Sequence, residues 1–310
     1  MIELNNINKT FKIAKRNAGF GEAVKALFKK DYTYIHALNN VSFKINDGEI
    51  VGYIGPNGAG KSSTIKIMSG ILTPDSGECV INGRIPWKDR INHVKEIGVV
   101  FGQRSQLWWD VPVVDSFELL KDIYRVSDSA FRKNLNELSE LLDIAEIMRT
   151  PARQLSLGQR MRCEIAASLL HNPKILFLDE PTIGLDAVSK ISVRNFIKTI
   201  NKERGTTVIL TTHDMQDIEA LAERILLIGR GKILLDGSLS DLKKRNSRHK
   251  TLVVDYTGER LTAAEGMTIT KEMEGHAEIV INTDITSVSS VISYISAQVD
   301  VRDISVSGAT

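Results

Sequence analysis

Short apolar runs and amphipathic segments alternate along residues 1–240. Apolar runs that end at turn residues predict buried strands, and apolar residues spaced three or four apart, as in residues 187–203, predict helices. Strands alternating with helices predict an α/β domain built on a mixed or largely parallel sheet. The predicted strands are residues 2–7, 41–45, 50–54, 78–81, 97–101, 175–178 and 207–211, with a hairpin at 225–235.

Two stretches depart from this alternation. Residues 114–148 have a helical pattern, with Phe117, Leu120 and Ile123 at helical spacing, and they predict a helical subdomain inserted at residues 104–170. After a polar linker at residues 246–250, a small α+β domain is predicted at residues 250–310. Its predicted elements are strands at 252–256, 277–281 and 301–306 and a helix through Val288, Val291, Ile292 and Ile295.

A glycine-rich loop joins the predicted strand at residues 50–54 to a predicted helix. The loop fits the phosphate-binding pattern G-x-x-x-x-G-K-[ST] at every fixed position, and strand, loop and helix stand in the required order. Backbone N–H groups and the positive end of the helix bind phosphate oxygens; Lys61 supplies charge for the β- and γ-phosphates, and the Ser62 hydroxyl is a magnesium ligand. A chance glycine turn is the alternative. The residues assigned to the nucleotide are Gly55, Pro56, Asn57, Gly58, Ala59, Gly60, Lys61, Ser62 and Ser63.

Two acidic residues follow the fully apolar predicted strand at residues 175–178. Asp179 stands where a Walker B aspartate binds magnesium, and Glu180 stands where a carboxylate could orient or deprotonate an attacking water. Without a phosphate loop upstream, an acidic cap on a strand end would explain the pair equally well. With that loop, the pair predicts phosphoryl transfer from ATP with Mg²⁺ as the cofactor.

Composition limits the classes of protein. The chain has 310 residues, is 42% hydrophobic and 25% charged, and carries a formal net charge of +2. These values are ordinary for a water-soluble protein and indicate no nucleic-acid partner. No apolar run approaches the ~20 residues that span a bilayer, and the first residues lack the apolar core of a signal peptide, so we expect a cytosolic protein. Cys79 and Cys163 lack metal-like spacing and are expected to be packed thiols.

Residues 12–36 differ from their surroundings in charge, with six basic residues against Glu22 and Asp31. The apolar residues within 23–28 predict a short helix. A solvated basic insertion fits this pattern, and so does a partly amphipathic element at a membrane surface or against a membrane partner.

The motif Leu-Ser-Leu-Gly-Gln-Arg at residues 155–160 precedes a predicted helix for which Ser156 is the expected N-cap. Together with the phosphate loop, Leu-Asp-Glu-Pro at 178–181, Gly-Leu-Asp at 184–186 and His213, it resembles the ATP-binding subunits of ABC transporters. The resemblance covers residues 1–240, and five motifs in the family's order are far more specific than any one of them. The insertion and the C-terminal domain resemble exporter subunits of the ABC-2 type.

In that family the signature serine and glycine of one subunit face the γ-phosphate bound to the other. The resemblance therefore implies a head-to-tail pair with two ATP molecules at its interface, and Ser156, Gly158 and Gln159 are the matching residues here. A helix N-terminus also favours anions. Leu157 departs from the family's commonest glycine; we expect ATP contact to survive, whereas the bulkier residue could alter dimer closure.

Three further residues match family positions. His213 resembles the switch histidine that contacts the γ-phosphate, and Gln103 resembles the Q-loop glutamine that touches magnesium or water. Asp186 resembles the D-loop aspartate that couples the two ATP sites. The alternatives are a satisfied strand-end histidine, a plain loop glutamine and a helix N-cap, respectively.

Aromatic residues provide two further matches. Phe11 best matches the family's adenine-stacking aromatic residue; Tyr32 and Tyr34 are rivals, and a buried core phenylalanine is the alternative. Trp108 and Trp109 lie in the region that in the family meets the permease. Adjacent residues cannot face the same side of a strand, so either at least one tryptophan is exposed at a partner surface, or both are core aromatics in a loop.

The resemblance implies a peripheral subunit at the cytoplasmic face of the cell membrane. It would dimerise on ATP with a second copy or a paralogous ATPase subunit and drive a separate integral-membrane permease, for export. A soluble ABC-type ATPase acting on nucleic acid or ribosomes and a nucleotide-gated regulator are the alternatives. A single phosphate loop, without heptads or a strongly basic balance, disfavours the nucleic-acid alternative.

Overall fold

The computed structural model describes residues 1–14, 32–102, 104–241 and 249–308. The chain divides into two units, Met1–Asp236 and Gly237–Thr310, and each unit has its own cluster of buried apolar residues. This division lies close to the boundary expected near residue 240.

The elements of the first unit follow in chain order. The strands are β1 (Ile2–Ala14), β2 (Tyr32–Ile45), β3 (Ile50–Ile54), β4 (Ser76–Ile81), β5 (Ile97–Phe101), β6 (Ile175–Asp179), β7 (Thr207–Thr211), β8 (Arg224–Gly229) and β9 (Lys232–Ser238). The helices are α1 (Lys61–Met68), α2 (Arg90–Val94), α3 (Val113–Tyr124), α4 (Asp128–Leu141), α5 (Leu157–Leu169), α6 (Ala187–Arg204) and α7 (Met215–Leu221).

A six-stranded sheet with the order β5-β6-β7-β3-β8-β9 lies at the centre of this unit. Its pairs from β5 to β8 are parallel, and the strands are buried, which explains their continuous apolar runs. Parallel strands end at one edge, and the register places Tyr53, Thr211, Asp179 and Phe101 side by side there. The predicted α/β fold class is confirmed, and the candidate residues after β3, β6 and β7 meet at one edge.

A separate antiparallel sheet has the order β2-β1-β4. The hairpin of β1 and β2 is longer than predicted, because Lys12 pairs with Tyr34 and Ala14 pairs with Tyr32. Both ends of the segment expected to be an insertion at 12–36 therefore belong to strands. The predicted short helix at 23–28 lies outside the described residues.

The predicted helical stretch at residues 114–148 is interrupted. Arg125 has a left-handed backbone, with a φ of 54°, and ends α3; Ser127 then caps α4 by accepting a hydrogen bond from the N–H of Ala130. A short 3₁₀ turn follows at Ala145–Ile147. Apolar spacing continues across the break, so the pattern alone did not reveal it.

The second unit contains β10 (His249–Thr257), β11 (Met267–Met273), β12 (His276–Asn282), α8 (Val288–Ser296) and β13 (Asp300–Gly308). Its antiparallel sheet has the order β11-β12-β10-β13, and Val291 and Ile295 of α8 pack with the buried residues of the sheet. Two findings differ from the sequence expectations. The linker expected through residue 250 ends earlier, because β10 begins at His249. The strand β11 was not predicted, because Met267 is its only buried residue.

Among the described residues, no helix combines the length and the apolar character needed to cross a bilayer.

Candidate functional site

The glycine-rich loop occupies the turn between β3 and α1, as its sequence predicts. Two glycines are required by close packing. A β-carbon on Gly55 would lie 2.2 Å from the Ile228 carbonyl oxygen, and one on Gly60 would lie 2.6 Å from that of Ala37. Gly60 also has a φ of 114°, a backbone angle that residues with a side chain rarely adopt. The loop backbone is therefore held close to β8 and β2, with α1 beginning directly after it.

Lys61 places its charge at this loop. The side chain is buried, and its Nζ donates hydrogen bonds to the carbonyl oxygens of Gly55, at 2.6 Å, and Pro56, at 3.2 Å. An ammonium group has three donors, so one donor remains for an anion. The first turn of α1 carries no acidic residue that would oppose a bound phosphate.

Asp179 lies at the end of β6, opposite the beginning of α1. The Ser62 Oγ is 3.4 Å from Asp179 Oδ1, and the Thr211 hydroxyl donates to the same oxygen at 2.6 Å. A hydroxyl and a carboxylate are hard oxygen donors of the kind that Mg²⁺ prefers. Thr211 fixes the rotamer of the carboxylate, so these residues fit the divalent ion that the sequence predicted at this point.

Glu180 adopts an unusual backbone conformation, with a φ of 57°. Its N–H donates to both the carbonyl oxygen and the hydroxyl of Thr211, at 3.0 and 3.1 Å, so β7 holds the strained residue in place. Its Oε1 lies 3.7 Å from Nδ1 of His213, which is mostly exposed. Non-glycine residues at positive φ cluster at functional sites, where the surrounding structure must enforce them.

Residues 55–57 of the loop, Ser62, Asp179, Glu180 and His213 line one cavity of about 680 Å³, whereas Lys61 is not among its lining residues. Gln103 lies outside the described residues, but its neighbours Gly102 and Arg104 line the cavity. Phe11 and the signature residues are not among the described residues that line it. The lining residues are Gly55, Pro56, Asn57, Ser62, Lys66, Ile71, Phe101, Gly102, Arg104, Asp179, Glu180, Ile183 and His213.

The signature motif forms a capping box at the start of α5. The Ser156 Oγ accepts from the N–H of Gln159 at 3.2 Å, and the Gln159 Oε1 accepts from the N–H of Ser156 at 2.9 Å. Gly158 is buried against α6, because a β-carbon there would lie 2.5 Å from the Ser189 Oγ. Within one chain, the serine, glutamine and glycine thus have structural partners.

Asp186 is the N-cap of α6, one of the two roles open from the sequence. It accepts from the N–H and the hydroxyl of Ser189, at 2.9 and 2.7 Å, and these bonds lower the pKa of its carboxyl. A Leu157 methyl lies 2.9 Å from where a β-carbon on Gly184 would stand. The signature loop and residues 184–189 therefore pack directly on each other.

The aromatic candidates are exposed. Phe11 is 37% exposed on the β1–β2 hairpin, so its interpretation as a core phenylalanine is wrong. Tyr32 and Tyr34 are also exposed, and Lys12 Nζ lies 3.8 Å from the ring centre of Tyr32.

Trp108 and Trp109 are 55% and 50% exposed, so they are not core residues. The Arg160 guanidinium lies 5.4 Å from the ring centre of Trp109, and Arg153 pairs with Asp110 at 3.4 Å. The two tryptophans therefore form an exposed apolar surface with polar neighbours.

Two buried polar residues, Glu164 and Thr211, were not predicted from the sequence. Glu164 of α5 accepts hydrogen bonds from the Ser105 hydroxyl and from the N–H of Gln106, the latter at 3.1 Å. Burial raises the pKa of the Glu164 carboxyl, and these hydrogen bonds partly offset the shift. The sequence offered one sign that Thr211 belongs to the site, because it ends an apolar strand just as Asp179 does. Glu164 lies within a helix, and no sequence pattern pointed to it.

The fold and the cavity define a P-loop nucleotide-binding protein. A family model described as ABC transporter matches residues 38–183. The daunorubicin resistance ATP-binding protein DrrA3 of Streptomyces coeruleorubidus is 32% identical over 76% of this chain and 74% of its own length. The solved ATP-binding cassette MJ0796, a dimer in a post-hydrolysis state bound to ADP and Pi, is 29% identical, with a TM-score of 0.64 over 77% of this chain and 99% of that one.

The chain belongs to the family of ABC transporter ATP-binding proteins and carries an ABC ATPase domain. It spans 63% of the length of one relative, the uncharacterized ABC transporter ATP-binding protein YhcH of Bacillus subtilis, with 32% identity over 64% of this chain. It spans 39% of a second, the probable multidrug protein YbhF of Escherichia coli, with 35% identity over 73% of this chain.

Proposed function

We propose that this protein binds and hydrolyses ATP as the nucleotide-binding subunit of an ABC transporter. The observation that carries the proposal is the cavity in which residues 55–57 of the phosphate loop, Asp179, Glu180 and His213 meet at the carboxyl ends of parallel strands. Ligands of open α/β sheets bind at such an edge. In this proposal residues 1–240 are the ATPase domain, and residues 250–310 are an accessory domain that is dispensable for the chemistry.

Binding rests on the loop and its lysine. The loop N–H groups and the start of α1 hold the phosphates. Lys61 adds positive charge, and its hydrogen bonds to two carbonyl oxygens of the loop fix its position. Ser62 and Asp179 would hold Mg²⁺ together with Gln103, and a bound Mg²⁺ would neutralise charge on the phosphates. Phe11 is the proposed stacking partner of adenine.

Hydrolysis uses the pair of Glu180 and His213. Glu180 orients a water and accepts its proton as the water oxygen bonds to the γ-phosphorus. The bond from that phosphorus to the bridging oxygen breaks, and ADP leaves. His213 donates to the γ-phosphate, and its ring nitrogen lies near enough to Glu180 for both side chains to serve the same reacting group.

The signature residues act on a second subunit in this proposal. Ser156, Gly158 and Gln159 stand at a helix N-terminus, which favours anions, and they would face the γ-phosphate of the opposite subunit. Asp186 would couple the two sites. The name of MJ0796 as a dimeric cassette supports a pair, formed here by two copies or with a paralogous subunit.

The membrane partner is proposed to contact the surface around the exposed Trp108 and Trp109. Exposed aromatic residues are enriched at interfaces, and the two tryptophans lie close in sequence to Gly102 and Arg104, which line the cavity. A permease bound there would hold the protein at the cytoplasmic face of the membrane. The names of the relatives DrrA3, for daunorubicin resistance, and SrtF of Streptococcus pyogenes, for lantibiotic transport, support an exporter.

Replacement of Glu180 tests the proposal. Glu180→Gln preserves the size of the side chain and one acceptor oxygen, but an amide cannot accept the proton of water. We therefore expect ATP binding within twofold of wild type and a loss of hydrolysis of about 10²-fold or more. Glu223→Gln, the same change at an exposed site outside the cavity, is the matched control. Wild-type turnover in Glu180→Gln would contradict the assignment of Glu180.

A further inference from the structure

One buried carboxylate accepts hydrogen bonds from both of the segments that carry the proposed catalytic residues, Glu180 and His213. Asp217, at the start of α7, is 0% exposed. Its Oδ2 accepts hydrogen bonds from the hydroxyls of Thr182 and Thr212, the latter at 3.0 Å. Thr182 follows β6 and Thr212 follows β7, so one oxygen atom joins two segments that are 30 residues apart in sequence.

Asp217 is itself fixed from a third element. The Nε of Arg194, in α6, donates to its Oδ1 at 2.6 Å. A second link joins α6 to the N-cap of α7, where Lys190 Nζ and Asp214 Oδ2 pair, also at 2.6 Å. Because both oxygens of Asp217 have partners and α6 braces the carboxylate, it cannot turn away from the two threonines without breaking a buried charged hydrogen bond.

The threonines lie next to the proposed catalytic side chains. Thr182 is two residues after Glu180, and Thr212 immediately precedes His213. Thr212 Oγ1 also accepts from the N–H of Asp214 at 3.0 Å, so its hydroxyl proton points toward Asp217. Asp217 thus ties together the two segments that carry Glu180 and His213, whose Oε1 and Nδ1 atoms lie 3.7 Å apart.

Packing alone does not explain this arrangement. A buried carboxylate is costly unless it is fully hydrogen-bonded, and apolar residues of similar volume usually serve a core equally well. A carboxylate only accepts hydrogen bonds, so it forces both hydroxyls to donate in fixed directions. The Asp217 carboxylate therefore selects one relative position of the two loops. An apolar group makes no directional bonds and could not do so.

We propose that Asp217 is a positioning residue for ATP hydrolysis: by holding Thr182 and Thr212 it sets the distance between Glu180 and His213. This inference rests on the proposed ATPase function. Displacement of reacting groups by about 1 Å costs on the order of 10²-fold in rate, so loss of the anchor should lower kcat. The phosphate loop, which supplies most of the proposed contacts to ATP, is held by β2 and β8 instead, so KM should change far less than kcat.

The test compares variants that remove or keep one hydroxyl. We expect Thr182→Val to lower kcat about 10-fold or more, with KM and the Kd for ATP within twofold of wild type. Thr182→Ser keeps the hydroxyl and should keep kcat within twofold. Thr212→Val should resemble Thr182→Val, and Asp217→Asn should lose at least as much activity; the threonine variants suffice if Asp217→Asn does not fold.

Thr207→Val is the matched control. Thr207 is buried at the opposite end of β7, where its hydroxyl accepts from the N–H of Gly48 at 2.9 Å, so this variant also removes a buried hydroxyl. We expect its kcat to match wild type. An unchanged kcat in Thr182→Val, an equal loss in Thr207→Val, or a rise in KM alone would overturn the role of Asp217. Absence of ATP hydrolysis by the wild-type protein would instead overturn the proposed function.

Discussion

The strained backbone of Glu180 predicts that a glycine variant is more stable than an alanine variant at this position, the reverse of the usual order. Glu180 has a φ of 57°, in the left-handed region. A residue with a β-carbon costs ~1–2 kcal/mol there, whereas glycine does not. Glycine loses more backbone entropy on folding, which costs about 0.5–1 kcal/mol relative to alanine. Glu180→Gly should therefore be more stable than Glu180→Ala by about 0.5–1 kcal/mol, and both variants should lose hydrolysis.

Tryptophan fluorescence measures this difference in the first unit alone. The three tryptophans, Trp87, Trp108 and Trp109, all lie within Met1–Asp236. For a domain of this size, 1 kcal/mol corresponds to about 2–4 °C in Tm, so Glu180→Gly should melt about 1–4 °C above Glu180→Ala. The measurement uses nucleotide-free protein, since bound ATP would raise the Tm of any variant that binds it.

The same pair of substitutions at Lys198 provides the control. Lys198 is exposed within α6, where glycine is less stable than alanine by about 1 kcal/mol. The order of stability should therefore reverse between the two positions. If Glu180→Gly melts below Glu180→Ala, as at Lys198, then Glu180 does not carry the backbone strain inferred here.

Two further predictions concern a buried carboxyl and the second unit. Burial raises the pKa of Glu164 above its ordinary value, so the folded protein binds more protons there than the unfolded chain, and stability at this site rises as the pH falls. The free energy of unfolding of wild type minus that of Glu164→Gln should thus increase from pH 7 to about pH 5 in urea titrations, and a constant or decreasing difference would contradict the pKa shift. A chain that stops before Asn246 should fold and bind a fluorescent ATP analogue within about twofold of the full chain, because the first unit has its own core and all the motif residues. A soluble truncated protein that does not bind the analogue would show that the second unit is required.

Local patterns were enough to predict the parts of the site that depend on neighbours in sequence. The glycine loop, Lys61 and Ser62 lie in one short motif, and Asp179 and Glu180 directly follow an apolar strand. A turn and a strand end are set by the residues that form them. The N-cap of α5 by Ser156 was predictable for the same reason. Gln103 and residues 15–31 lie outside the described residues, so the predictions made for them remain predictions.

Extended strands and helix breaks were harder to predict. The hairpin of β1 and β2 continues to Ala14 and Tyr32, where exposed residues give no period-2 signal. The end of α3 at Arg125 depends on one residue at positive φ, which apolar spacing does not record.

Tertiary structure alone decided which residues support the catalytic pair. Thr211 holds the carboxylate of Asp179 across two neighbouring strands, and Asp217 holds Thr182 and Thr212 from a helix. No local spacing relates these residues, because their partners are assigned by sheet order and helix packing. In the sequence, such a threonine or aspartate looks like an ordinary strand end or helix start. The fold brings the buried donor and acceptor within hydrogen-bonding distance, and the free-energy cost of leaving either one unpaired keeps them together.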